Sequence, residues 1–151
     1  RLPGGDDVIV GRRDFFERAD MTGTTIICNP PYFTTGQPSQ QSQRAIARHT
    51  IQLDHHDLLT TCWNILTLSG RANFVLPVAE GEQFLSLAEQ LGWFLTRKCQ
   101  VRPNPLKSPN RLLIELSKKI EECEHSELII KENNSYSQNF ISLTKDFYLK
   151  M

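Results

Sequence analysis

Short apolar runs separated by amphipathic stretches predict an alternation of strands and helices. The runs 8–10 and 24–27 consist of β-branched residues and are long enough for buried strands, and the run 72–77 ends in a proline that stops a further strand. Apolar side chains recur at helical spacing between residues 57 and 68 and between 84 and 91, and a glycine follows each stretch. This order predicts an α/β fold built on a mostly parallel sheet.

The second half of the chain predicts a different connection. Residues 93–101 and 111–116 both have strand patterns, and the loop between them contains three prolines and no helical period. Two strands joined without a helix pair antiparallel. A charged, exposed segment over 120–126 precedes a short strand at 128–130. Tyr136 and Ser137 then precede apolar residues at helical spacing, which predicts a capped terminal helix.

The segment 28–33, Cys-Asn-Pro-Pro-Tyr-Phe, directly follows the strand at 24–27. Its two prolines donate no backbone hydrogen bond and restrict the residues before them to extended conformations, so the strand must stop here in one fixed shape. Asn29 and Tyr32 are therefore held at the carboxyl end of a strand, where open α/β sheets bind their ligands. The alternative reading is a rigid turn without chemistry.

An amide and an aromatic ring at such a corner suit methylation of an amino group conjugated to a planar base or amide. The side-chain oxygen of Asn29 and the carbonyl of Pro30 are positioned to accept the two amino hydrogens, which directs the nitrogen lone pair toward a methyl donor. Tyr32 can stack on the flat face of the substrate. This chemistry requires no strong base.

The order Asn-Pro-Pro-Tyr at 29–32 resembles the motif of S-adenosylmethionine-dependent amino methyltransferases, which modify adenine, guanine or glutamine. The resemblance implies a Rossmann-like class I methyltransferase sheet, mostly parallel with an antiparallel last strand. It implies S-adenosylmethionine as cofactor. The catalytic residues that it implies are Asn29, Pro30, Pro31 and Tyr32.

Further matches narrow the resemblance to bacterial tRNA adenine methyltransferases that modify the base beside the anticodon of a valine tRNA. After the corner come a polar loop with Gly36 and the order Arg-x-x-Ala-Arg-His at 44–49, and the aromatic tail is similar as well. Arg44 and Arg48 fall on one helix face and suit phosphate. A surface charge at Arg48 and a packing role for His49 are the alternatives. The implied tRNA-contacting residues are Tyr32, Phe33, Arg44, Arg48 and His49.

The cofactor side of such a site is incomplete in this sequence. In the family, the loop after the third strand places an acidic residue and an apolar ring near the cofactor's adenine, and Asp14 and Phe15 follow the 8–10 run in that order. With Asn29 they are the implied cofactor contacts, although Asp14 also suits a helix cap. The glycine-rich loop of these enzymes is absent, so we expect residues 1–151 to be the carboxyl-terminal part of one methyltransferase domain, lacking the first strands.

Other functions remain open from the sequence. Release-factor glutamine methyltransferases share Asn-Pro-Pro-Tyr but not the 44–49 segment or the tail, and ribosomal RNA guanine methyltransferases more often carry Phe in place of Tyr32. A non-catalytic substrate-binding half is a further alternative, since the glycine-rich loop is missing.

Composition limits the partners. The 151 residues carry 17 basic and 17 acidic side chains, so an RNA surface must be local. Four well-separated cysteines predict free thiols, and with no signal peptide or membrane-spanning apolar run they favour a cytoplasmic protein. Adjacent His55 and His56 would point to different sides of a helix, so no metal site is predicted.

Overall fold

The computed structural model describes residues 8–10, 23–30 and 54–146. They form eight strands and three helices, α1 being the helical segment 54–65. The strands are β1 (Val8–Val10), β2 (Gly23–Cys28), β3 (Leu66–Pro77), β4 (Phe94–Arg102), β5 (Arg111–Ser117), β6 (Glu124–Ile129), β7 (Lys131–Glu132) and β8 (Ser135–Tyr136). The other two helices are α2 (Val78–Gln90) and α3 (Gln138–Thr144).

Six strands form one mixed sheet in the order β1-β2-β3-β5-β4-β6. The strands β1, β2 and β3 are parallel, β6 is parallel to β4, and β5 runs antiparallel to both β3 and β4. The crossover from β3 through α2 to β4 leaves a gap one strand wide, and β5 turns back to fill it. The predicted α/β sheet with an antiparallel strand is confirmed, and β6 extends the sheet beyond that strand.

Helices α1 and α2 cover the same face of the sheet. Each joins two parallel strands, and because the connections run in one direction along the sheet, right-handed crossovers place both helices on one side. Their apolar stripes meet the inward side chains of β2, β3 and β5 in a single core. Its fully buried members include Ile26, Leu59, Ala72, Leu76, Ala88, Leu112 and Leu116.

Two element boundaries differ from the predictions. The helix predicted over 57–68 ends at residue 65, and β3 begins at Leu66, so Gly70 lies inside a strand. The spacing of Leu66 and Leu68 fits both a helix and a strand, and pairing of β3 with β2 and β5 makes this segment a strand. The charged segment over 120–126 contains the start of β6, where Glu124 and Glu127 lie 3.7 and 3.0 Å from arginines of β4. Such cross-strand ion pairs suit an exposed edge strand.

The order of Asp14 and Phe15 after the 8–10 run implies, by the family resemblance, that this run is the third strand of a methyltransferase sheet. In the structure it pairs directly with β2 through three register pairs. In the doubly wound order 3-2-1-4, the neighbour of the fourth strand is the first strand. Strand β1 therefore occupies the place that this order gives to a first strand.

The chain's tail is a hairpin followed by a capped helix, as predicted for the helix. The hydroxyl of Ser137 accepts a hydrogen bond from the Phe140 amide at 3.1 Å and donates one to the carbonyl of Ile129. The side chain thus ties the first turn of α3 to the end of β6.

We expect Ser137→Ala to destabilise α3 locally by about 1 kcal/mol, the usual cost of losing an N-cap side chain. Hydrogen exchange at the Phe140 amide should then be several-fold faster. Ser142→Ala, on the exposed side of the same helix, is the control and should leave that rate unchanged. Equal rates in all three proteins would contradict a capping role for Ser137.

Candidate active site

At the corner that follows β2, an exposed residue is directly followed by a buried one. Asn29 is exposed directly after the last strand residue, whereas the side chain of Pro30 is fully buried. The buried ring anchors the chain, and the amide faces solvent. The parallel strands β2, β3, β4 and β6 all end at this edge, where the ligand crevice of an open α/β sheet lies. The predicted placement of Asn29 at a strand's carboxyl end is confirmed, and its chemical role remains a prediction.

Asn73 supports the corner from the neighbouring strand, a role that was not predicted from the sequence. Its side-chain amide donates a hydrogen bond to the carbonyl of Ile26 at 3.3 Å, and its backbone is paired in register with Ile27. It therefore fixes β2 against β3 just before Asn29. An amide inside an otherwise apolar strand, Ala-Asn-Phe-Val-Leu, is the feature that would have identified it.

The thiol of Cys28, next to Asn29, is held neutral. Burial raises its pKa to about 11, and burial together with the neighbouring Cys28 raises the pKa of the Cys62 thiol in α1 to about 12. All four cysteines are free, as predicted. A thiol that stays protonated at neutral pH is a poor nucleophile, so Cys28 contributes packing rather than covalent chemistry.

We expect this burial to make the fold sensitive to alkaline pH. The unfolded Cys28 thiol ionises near 9.0, whereas the folded one stays protonated up to about 11. Above pH 9 the unfolded state therefore binds fewer protons, and the free energy of unfolding falls as the pH rises from 9 to 11. Urea titrations should show a shallower fall for Cys28→Ala than for the unsubstituted chain. Identical slopes would contradict this assignment.

A groove of about 750 Å³ lies on the sheet face opposite α1 and α2. Its floor is formed by outward side chains of neighbouring strands, and α3 lines one side. Ile27 and Leu113 on this floor are 51% and 39% exposed. The groove is mainly apolar, and its lining residues include Ile27, Asn73, Val75, Leu113, Glu115 and Leu143.

One polar row crosses the floor of the groove. Register pairing places Asn73, Glu115, Arg97 and Glu124 side by side on four adjacent strands. Glu115 accepts a hydrogen bond from the Thr96 hydroxyl at 2.9 Å and lies 4.0 Å from the Arg97 guanidinium. The carboxylate is thus partnered, and this row stabilises strand register rather than presenting a free acid or base.

Most of the other predicted site residues lie outside the residues that the structure describes. These are Asp14, Phe15, Pro31, Tyr32, Phe33, Arg44, Arg48 and His49. Their assignments remain predictions.

The two histidines of α1 lie in different environments. His55 is buried with its ring edge-on to Phe84 at 5.1 Å, whereas His56 is exposed beside Asp57. Within 8–10, 23–30 and 54–146, no three His, Cys, Asp or Glu side chains are grouped to hold a metal ion. None of the helices in these segments is long and apolar enough to cross a bilayer.

The fold is that of a methyltransferase. It superposes on a crystal structure of a predicted O-methyltransferase from Agrobacterium tumefaciens with a TM-score of 0.59 and 13% identity, covering 82% of this chain and 51% of that one. At this identity the likeness concerns the fold alone. It confirms the predicted Rossmann-like methyltransferase sheet. No family model matches the chain.

Sequence comparison is more specific. The chain is 52% identical over 126 residues to the tRNA1(Val) (adenine(37)-N6)-methyltransferase of Vibrio campbellii, covering 83% of this chain and 53% of the relative. The Vibrio cholerae and Aliivibrio fischeri proteins of that name are 48% and 47% identical. The chain belongs to the tRNA1(Val) adenine methyltransferase family. It spans about half the length of the curated relatives that it matches. That it is the carboxyl-terminal part of one methyltransferase domain stays a prediction.

Proposed function

We propose that the full-length protein containing this chain transfers a methyl group from S-adenosylmethionine to the exocyclic amino group of an adenine beside the anticodon of a valine tRNA, in the cytoplasm. The observation that carries this proposal is the exposed Asn29 at the carboxyl end of β2, fixed by a buried proline. The identity to relatives named for this reaction supports the same substrate.

Asn29 and Pro30 act on the substrate nitrogen. The amino group of adenine is a weak nucleophile because its lone pair is delocalised into the ring. The Asn29 side-chain oxygen and the Pro30 carbonyl accept its two hydrogens, which favours a more tetrahedral nitrogen with a directed lone pair. We expect Pro31 to restrict the backbone of the residue before it, as proline does in general. A rigid corner suits this task because little reorganisation is needed when the substrate arrives.

The cofactor is held only in part by this chain. Asn29 lies at the edge of the sheet where the ligand crevice of an α/β fold is located. Asp14 and Phe15 would contact the adenine of the cofactor. No glycine-rich loop for the rest of the cofactor occurs in the sequence. When bound, S-adenosylmethionine supplies an electrophilic methyl group on a positively charged sulfur.

The target base leaves its stack to reach the corner. Unstacking costs a few kcal/mol, and stacking on Tyr32 and Phe33 offsets this cost.

The reaction can be tested with an unmodified valine tRNA transcript, isotope-labelled S-adenosylmethionine and the full-length protein. We expect labelled N6-methyladenosine after nuclease digestion of the tRNA. Methyl transfer to a release-factor glutamine or a guanine, with none to adenine, would contradict the proposal.

Arg44 and Arg48 provide a second test on the tRNA side. We expect replacement of both by Ala to weaken tRNA binding and to flatten its salt dependence, since each lost phosphate contact reduces counterion release. Replacing His49 by Ala should have a smaller effect. Cofactor affinity should not change. An unchanged slope of log Kd against log salt would make both arginines ordinary surface charges.

A further inference from the structure

The hairpin β7–β8 and the start of α3 present an exposed aromatic surface. The rings of Tyr136 and Phe140 are stacked, with centroids 5.2 Å apart and planes 29° from parallel, and the Lys131 ammonium lies 5.5 Å from the Tyr136 ring centroid. Tyr136 is 40% exposed. We name Lys131, Tyr136 and Phe140 the aromatic platform. We infer that it is a second RNA-contacting surface, which binds a base and a phosphate of the same tRNA; the inference rests on the proposed function.

The platform is built before any ligand arrives. Asn133 and Asn134 have φ angles of 49° and 63°, the left-handed pair required by a tight two-residue hairpin turn. Lys131 and Tyr136 are cross-strand partners, so their side chains share one face of the hairpin. The Ser137 amide donates a hydrogen bond to the carbonyl of Ile130 at 2.8 Å and closes the base of the hairpin. A preformed surface pays little ordering entropy on binding.

The platform lies at the same sheet edge as Asn29. Strand β6 is parallel to β4 and ends at this edge, and the hairpin follows it. The amides of Ile130 and Lys131 donate hydrogen bonds of 3.0 Å each to the carbonyls of Arg102 and Pro103, at the end of β4. Four strand spacings separate β6 from β2, which is roughly 19 Å across the sheet. An RNA stem-loop with its target base at Asn29 spans such a distance.

A cation accompanies the two rings of the aromatic platform. Lys131 shares the face of Tyr136, whereas Glu132 pairs with Ser135 on the opposite face. Arg102, at the end of β4, is paired with Glu127 at 3.0 Å, whereas the Lys131 ammonium lies over the Tyr136 ring. Single-stranded RNA is bound by exposed rings that stack on bases together with cations that meet phosphates. Stacking of a base is stronger than an exposed cation–π contact, so a base can displace the ammonium toward a phosphate.

The test measures binding of a valine tRNA transcript to the full-length protein at several salt concentrations. We expect Tyr136→Ala to raise Kd at least about fivefold, because one stacked base is lost. Tyr136→Phe keeps the ring and should stay within about twofold. Lys131→Gln should flatten the slope of log Kd against log salt by roughly 0.7 to 0.9, as expected for one phosphate.

Lys119→Gln is the matched control. Lys119 is an exposed lysine that follows the carboxyl end of the antiparallel β5, at the opposite edge of the sheet, and its replacement should leave Kd and slope unchanged. The kcat at saturating tRNA should be the same in all four variants, because the platform touches neither the amino group nor the methyl donor. A higher Kd with an unchanged kcat would indicate a lost tRNA contact, because general unfolding would also reduce the amount of active enzyme.

Lys131→Gln keeps the rings, so it tests the inference even where Tyr136→Ala disturbs the hairpin. Unchanged Kd and slope in both variants, in a protein that still binds and methylates tRNA, would overturn the platform and leave the proposed function standing. Weaker binding of a protein partner with unchanged tRNA binding would also overturn it. Absence of tRNA binding by the unsubstituted protein would overturn the proposed function and the platform together.

Discussion

We expect Asn29→Ala in the full-length protein to lower kcat for methyl transfer by about 100-fold or more, while the affinity for S-adenosylmethionine changes little. Removing one preorganised polar group from a reacting centre typically has an effect of this size. The side chain of Asn29 is exposed, so its replacement by Ala should not unfold the protein. Single-turnover assays with labelled cofactor measure the rate of the chemical step.

Asn110→Ala is the matched control for this substitution. Asn110 is another exposed asparagine at the same sheet edge, immediately before β5, and its backbone amide is bonded to the Val101 carbonyl at 2.9 Å. We expect its alanine variant to retain full activity. Full activity in Asn29→Ala would remove Asn29 from the catalytic centre, and equal losses in both variants would indicate damage to the edge as a whole.

The second large effect concerns the 151-residue chain by itself, which we expect to show no methyl transfer and no micromolar binding of S-adenosylmethionine. It supplies Asn29 and the adenine-side candidates Asp14 and Phe15, but no loop for the methionine and ribose of the cofactor. Losing most contacts forfeits most of the binding free energy. Calorimetric titration tests this, and micromolar binding by a monomeric chain would show that a complete site exists here.

The isolated chain should also associate as its concentration rises. The groove face exposes Ile27 and Leu113, and among the described strands the three-residue β1 lies at the edge of the sheet. Exposed apolar faces and unpaired strand edges both promote association. Sedimentation velocity at increasing concentration measures this effect. A chain that stays monomeric at all concentrations would contradict this expectation for the groove face.

Elements were predicted correctly from the sequence where the spacing of apolar residues and the residues at the element ends indicate the same structure. The core helix with Leu58 and Cys62, the antiparallel return of β5 and the Ser137 cap were all predicted from residue order. The boundary at Leu66 was wrong because two periods fit the same residues and only partner strands distinguish them. The predicted strand at 128–130 begins later than β6, which starts at Glu124. The first residues of β6 are polar or charged, and their pairing depends on arginines of β4 that are distant in sequence.

Only part of the candidate active site could be predicted from the sequence. Prolines restrict the backbone locally, so the position of Asn29 at a strand end followed from the sequence alone. For Asn73, the sequence offers only the signal of an amide in an apolar strand. Its partner could not be predicted, because the hydrogen bond reaches a strand 47 residues earlier in the chain. Likewise the aromatic platform combines β7, β8 and α3, and its distance from Asn29 depends on the strand order.

The placement of both crossover helices on one face has a consequence for protein engineering. A doubly wound sheet changes the side of its helices at the switch point, so a division next to β2 yields two halves, each with its crossover helices on one face only. If the proposed function holds, such halves are suited to a split-enzyme reporter, and we expect methyl transfer only on reassembly. Because β1 is held by three register pairs, an incoming strand has to displace only this short pairing to dock beside β2.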